Sequence, residues 1–130
     1  MQNHLPSVRV LVVDDAPEIR EMVAEMLELQ GATVTAVATA EEALELLKIE
    51  RPDVLLSDLE MPGKDGCWLI GQVRELPPAE GGLTPAACLT GCTEPEARAR
   101  VLQAGFQYHI PKPIRMNHLV GVVSILALKP

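Results

Sequence analysis

The chain has 130 residues, 48% of them hydrophobic and 22% charged, the balance of one water-soluble globular domain able to bury a single core. A formal net charge of −7, with one Trp, one Tyr and one Phe, excludes direct nucleic-acid binding, which needs clustered Lys and Arg or stacking rings. Neither a membrane-length apolar run nor a signal-peptide core is present, which excludes direct membrane insertion and sets the expectation of a cytoplasmic protein.

A tail through Ser7 is expected to be loose, followed by a domain over residues 8–127. Val8–Val13 is a continuous apolar run, the pattern of a buried parallel strand, and it ends in Asp14 and Asp15. The next pattern predicts a helix over 17–30, with Ile19, Met22, Val23, Met26 and Leu27 at helical spacing. Pro17 suits its first turn and Gly31 its exit. Thr33–Val37 reads as a second strand. Thr39-Ala40-Glu41-Glu42 has capping-box spacing for a helix to about Lys48, and Pro52 stops it.

The third strand, Val54–Ser57, runs into Asp58. Asp65 and Gly66 open a third helix to about Leu76, and Pro77–Thr84 is the longest loop. Ala86–Leu89 forms a fourth strand ending at Thr90. Thr93-Glu94-Pro95-Glu96 caps a fourth helix that Gly105 closes. A short fifth strand, Tyr108–Ile110, precedes Lys112. The last helix, about 115–127, buries Met116, Leu119, Val120, Val123 and Leu126, and residues 128–130 form a loose end. Cys67, Cys88 and Cys92 make no C-x-x-C motif, so reduced thiols are expected, with Cys88 in the core.

Five β/α units with right-handed crossovers predict an α/β fold, one doubly wound, five-stranded parallel sheet with five helices. The strand order 2-1-3-4-5 sets the first and third strands side by side at the switch point, where ligands bind beyond the strand ends. Asp14, Asp15, Asp58, Thr90 and Lys112 then converge. Three close carboxylates repel one another unless a cation offsets them, and an all-oxygen set suits Mg²⁺. In such a site Asp58 can act as a nucleophile that forms an acyl phosphate. Lys112 can neutralise phosphoryl charge, and the Thr90 hydroxyl can donate to a phosphoryl oxygen, with Gly91 leaving room beside it.

Val10-Leu11-Val12-Val13-Asp14-Asp15, Asp58-Leu59-Glu60-Met61-Pro62-Gly63-Lys64-Asp65-Gly66, Leu89-Thr90-Gly91 and Pro111-Lys112-Pro113 resemble the signature set of bacterial two-component response-regulator receiver domains, which share a flavodoxin-like fold. The resemblance implies that Asp58 accepts a phosphoryl group from a phosphohistidine of a histidine kinase or histidine phosphotransfer protein. It implies that Asp15, Asp58 and the Glu60 main-chain carbonyl ligate Mg²⁺, with Asp14 acting through water, and that the Lys112–Pro113 bond is cis. The only catalysis it implies is Mg²⁺-dependent autophosphorylation and autodephosphorylation. Output would use the face of the fourth helix, fifth strand and fifth helix, with Arg98, Arg100 and His118 as exposed candidates. The same face would serve a homodimer. The first helix would dock the phosphodonor. Leu83-Thr84-Pro85-Ala86-Ala87 and the stretch from Ala104 to Pro113 further resemble receivers at the C-termini of hybrid sensor kinases.

The chain departs from the pattern at His109, three residues before the lysine, where the family places Tyr or Phe as a switch residue. An imidazole there would add pH sensitivity near its ordinary pKa of ~6.5. Glu60 and Cys92, two residues beyond Asp58 and Thr90, stand where the family tunes phosphoryl lifetime. The competing reading is a small aspartyl-nucleophile phosphohydrolase, which Asp58-Leu59-Glu60 superficially resembles. A flavodoxin-type cofactor binder would need a phosphate loop where Asp14-Asp15-Ala16-Pro17 stands.

Overall fold

The computed structural model describes residues 3–91 and 94–128. Among these, the strands β1 (Arg9–Val13), β2 (Thr33–Val37), β3 (Val54–Asp58), β4 (Ala86–Thr90) and β5 (Tyr108–Pro111) alternate with five helices. These are α1 (Pro17–Glu28), α2 (Ala40–Glu50), α3 (Gly66–Glu75), α4 (Pro95–Ala104) and α5 (Met116–Leu126). Every strand pair is parallel and the order is β2-β1-β3-β4-β5, the doubly wound sheet expected from the alternation. The loop at Pro77–Thr84 contains one 3₁₀ turn, Pro78–Glu80.

Successive strand side chains point to opposite faces, and here both faces are covered. Val10, Val12, Val54, Leu56, Leu89 and Ile110 pack with Val23 and Leu27 of α1 and with Leu119 and Val123 of α5. Their sequence neighbours Leu11, Val13, Leu55 and Cys88 pack on the other face with Leu47 of α2, Leu69 and Val73 of α3 and Val101 of α4. This two-sided burial is why β1, β3 and β4 read as unbroken apolar runs, while the edge strands β2 and β5 are only partly covered. Each fully buried Leu or Ile contributes about 1.5–3 kcal/mol relative to exposure.

Local chemistry sets the helix ends. The Thr39 hydroxyl accepts from the Glu42 N–H at 3.2 Å, and Asp65 Oδ1 accepts from the Trp68 N–H at 2.8 Å. The helix after Thr39 runs two residues past Lys48 and closes on Arg51, which adopts the left-handed conformation at φ 48°. Glu94, without a side-chain cap, precedes α4. Thr93, expected to cap it, lies outside the described residues.

The N-terminal segment corrects the expected loose tail. Leu5 is fully buried in the layer containing α1 and α5, its N–H donates to the Gln30 carbonyl at 2.9 Å, and the Ser7 N–H donates to the Gly31 carbonyl at 3.3 Å. An apolar side chain with a core site to fill anchors the chain three residues before Val8. At the other end Leu128 is exposed, and Lys129 and Pro130 lie outside the described residues.

Parallel strands deliver all their C-terminal ends to one edge of the sheet, where Asp14, Asp58, Thr90 and Lys112 sit. The opposite pole receives the helix C-termini. Exposed Leu29, Ile49, Leu102, Ile125 and Leu128 lie at or just beyond helix C-terminal turns, and exposed Leu83 lies just before β4, so apolar surface gathers away from the acidic end. No helix of the described residues is long and apolar enough to cross a membrane.

Candidate functional site: an acidic cleft at the strand ends

Asp14 follows β1 and Asp58 ends β3, and these two strands are direct neighbours. Asp14, Asp15 and Asp58 each present a carboxylate oxygen, and all three oxygens lie within 4.8 Å of one another. Asp14 and Asp58 are buried and Asp15 is exposed, so the cluster opens to solvent on one side. Lys112 reaches in from beyond β5. Its Nζ donates to Asp58 Oδ1 at 3.0 Å and lies 3.6 Å from Asp14 Oδ2. Asp58, Glu60, Thr90, Gly91 and Lys112 line a cleft of about 240 Å³. Thr90 is buried and Glu60 is exposed at the rim.

The surrounding backbone fixes these groups. The Asp14 carboxylate accepts from the Ala16 N–H at 2.9 Å, and the Arg20 guanidinium donates to the Asp14 carbonyl at 2.8 Å. The Ser57 hydroxyl donates to the Asp58 carbonyl at 2.9 Å. Gly66 carries the start of α3 against the end of β3: its N–H donates to the Leu59 carbonyl at 2.9 Å, and a Cβ there would sit 2.4 Å from the Asp58 carbonyl oxygen. The Lys112 N–H donates to the Thr90 carbonyl at 2.9 Å, so the main chains of the lysine and the threonine are tied together. The Lys112–Pro113 peptide is cis.

Electrostatics follow from this crowding. Burial pushes the Asp58 carboxyl above the usual carboxylate value and the negative charges of Asp14 and Asp15 add to it, against the hydrogen bond and positive charge of Lys112. Burial alone would lower Lys112, but its hydrogen bond to Asp58 and the charges of Asp58 and Asp14 outweigh that and hold the ammonium above its ordinary value. Asp14 Oδ2 is buried with no hydrogen-bond donor among the described residues. A buried carboxylate oxygen without a donor, beside two more carboxylates, is a place for a hard cation.

Not every residue singled out from the sequence reaches this cleft. His109 is half-buried on β5, paired in register with Cys88, and lines a different groove on the side of α4 and α5. Cys67 and Cys88 are free thiols, and burial pushes Cys88 well above the ordinary thiol value. Cys92 lies outside the described residues. Two supports were not legible in the sequence. Arg20 is a cation near a helix N-terminus, where negative charge is favoured, and that misplacement was its one available signal. Gly66 could be read as a helix opener, but not as the only side chain that clears the Asp58 carbonyl.

The family model for the response regulator receiver domain matches residues 10–124. The chain belongs to this family. It is 44% identical over 120 residues to an uncharacterized 14.6 kDa protein of Leptolyngbya boryana, spanning 92% of this chain and 90% of that one. It is 36% identical to the response regulator MprA of Mycobacterium ulcerans over 92% of this chain, but spans only half of MprA. Among solved structures, the chemotaxis protein CheY4 of Vibrio cholerae superposes with a TM-score of 0.85 at 31% identity, covering 92% of this chain and 98% of CheY4. The receiver domain is a module of two-component signalling, and its acidic pocket is of the kind in which receiver domains bind Mg²⁺.

Proposed function

We propose that this receiver domain takes a phosphoryl group onto Asp58 from a phosphohistidine of a histidine kinase or histidine phosphotransfer protein. The observation that carries the reading is the 3.0 Å contact of Lys112 Nζ with one oxygen of a buried aspartate whose carboxyl is crowded by two others. One Asp58 oxygen is held by the lysine, and the other is left to attack phosphorus. The P–N bond of the donor breaks, its electron pair stays on the imidazole nitrogen, and that nitrogen takes up a proton. Lys112 then faces the new phosphoryl oxygens, and the Thr90 hydroxyl donates to one of them.

Asp14, Asp15, Asp58 and the Glu60 carbonyl form the set that would hold Mg²⁺, and the undonated Asp14 Oδ2 supports that fit. When bound, the ion supplies positive charge that offsets both the carboxylates and the transferring phosphoryl oxygens. Autophosphorylation by small phosphodonors and autodephosphorylation belong to the same reading, as does a cytoplasmic location. Output would pass through the face of α4, β5 and α5. Receivers of hybrid kinases remain the sub-class that the Leu83–Ala87 and Ala104–Pro113 stretches resemble most, while the phosphohydrolase reading is not favoured.

Incubation with acetyl phosphate and Mg²⁺ should label one site, with a mass increase of a single phosphoryl group that Asp58→Asn or chelation of Mg²⁺ abolishes. Labelling that persists in Asp58→Asn overturns the assignment of the acceptor. Lys112→Ala should keep Mg²⁺ binding but lose the phosphorylation-induced spectral change, and an unaltered change would remove Lys112 from the switch.

A further inference from the structure

The described lysines and arginines divide into two groups. Arg9, Arg20, Arg51 and Arg74 donate to backbone carbonyls, Lys48 pairs with Glu45, Lys64 lies over the Trp68 ring, and Lys112 is bound to Asp58. The side chains of Arg98, Arg100 and Arg115 have no hydrogen bond or ion pair with any described residue; Arg100 lines a separate pocket with Glu60 and Asp65, and Arg98 alone of the three lines the groove described next. Between α4, α5 and β5 runs a groove of about 470 Å³. Arg98 enters it from α4, His109 from β5 and His118 from α5, with Leu102 and Tyr108 as exposed apolar neighbours and no carboxylate in the lining.

We infer that this groove docks an acidic segment of a partner protein, one with carboxylates for Arg98, His109 and His118 and an apolar residue for Leu102 and Tyr108. The inference rests on the proposed function and deepens it by giving the chemistry of the output partner. In a chain of net charge −7 a groove lined by Arg98 and two histidines, with no carboxylate, is a face that an acidic partner can approach. The same net charge opposes a second copy of this chain as the occupant.

The groove also links docking to pH. Burial holds the His109 imidazole below its usual value, and the positive charges of Arg98 and His118 press it further down. Of the charged groups on the three elements (Glu94, Glu96, Arg98 and Arg100 around α4, Lys112 beyond β5, Arg115 and His118 at α5), only Arg98 and His118 act on it appreciably. A bound carboxylate reverses the sign of that environment. Docking therefore takes up protons, and it tightens as pH falls through the imidazole range while the partner's carboxylates, with ordinary pKa values near ~4, stay ionised.

The probe is a fluorescein-labelled peptide of alternating Glu and Leu, followed by anisotropy on the full chain at pH 7.5 and pH 6.0, with its Lys-for-Glu counterpart as control. Binding should be roughly fivefold or more tighter at pH 6.0, weaken with added salt, and be absent for the Lys peptide. Arg98→Gln combined with His118→Gln should abolish binding while leaving acetyl-phosphate labelling intact. Failure of the peptide to bind at either pH, or binding that is unchanged in that variant, overturns the inference. Self-association at pH 6.0 by sedimentation, lost in the same variant, would give the groove to a second copy and overturn it equally. Loss of labelling in the unmodified chain would instead defeat the phosphoacceptor reading, so the two failures are distinguishable.

Discussion

Gly66 shows how one missing side chain fixes the site. With 2.4 Å between a would-be Cβ and the Asp58 carbonyl oxygen, Gly66→Ala must push α3 away from the end of β3. Overpacking of this kind costs about 1–3 kcal/mol, which a denaturant midpoint will read, and the acceptor's carbonyl moves with it, so acetyl-phosphate labelling should slow as well. His109 makes a different kind of prediction. Its imidazole is held below the ordinary value, so the folded state disfavours the charged form. Its stability contribution is whole above about pH 6.5 and declines as pH falls from there through the lowered value. Thermal melts of His109→Gln should therefore lose part of the stability slope below about pH 6.5. An unchanged slope would show that other groups set it.

At the scale of elements, Arg74 is the strongest staple. From α3 it donates to the carbonyls of Gly105 at 3.0 Å, Gly82 at 3.0 Å and Thr84 at 2.7 Å, and to Gln107 Oε1 at 3.1 Å, so one guanidinium holds the segments that lead into β4 and β5. Arg74→Ala strands three part-buried carbonyls and should cost about 2–4 kcal/mol in chemical denaturation. Nothing in the sequence marks this arginine, because its partners are carbonyls 8 to 31 residues away, which have no residue signature. The elements themselves were legible. Thr39, Asp65 and Pro17 announce helix starts by chemistry local to those starts, and β1, β3 and β4 announce themselves by two-sided burial. The meeting of Asp14, Asp15, Asp58 and Lys112 was legible for the same reason: parallel strands bring their ends together whatever the loops do. Leu5 was misread because a single apolar residue among polar neighbours has no periodicity to betray its core site.

For the whole molecule, the cluster of carboxylates makes stability conditional on a cation. Burial and the neighbouring charges raise the Asp58 carboxyl, so its contribution is present below the ordinary carboxylate range and is lost as pH rises through the raised value. Once Asp58 ionises, its burial and its negative neighbours work against the fold. Asp58→Asn should then melt higher than the parent in the absence of divalent ions. Mg²⁺ should raise the parent's melting temperature, adding about 2.7 kcal/mol at a hundredfold excess over its dissociation constant, and should raise the variant less. Equal shifts for both would place the ion away from Asp58.

The exposed apolar residues Leu29, Ile49, Leu83, Ile125 and Leu128 bear on how the domain behaves in a concentrated solution. Mutual repulsion from the surplus of negative charge keeps such residues apart at neutral pH, but the isoelectric point lies near 4.9. Titrated towards that value, the molecules lose their repulsion while these fatty side chains stay uncovered, so light scattering should rise steeply near pH 5 and clear again on return to neutrality. Ile49→Lys with Leu128→Lys should blunt that turbidity without altering the fold.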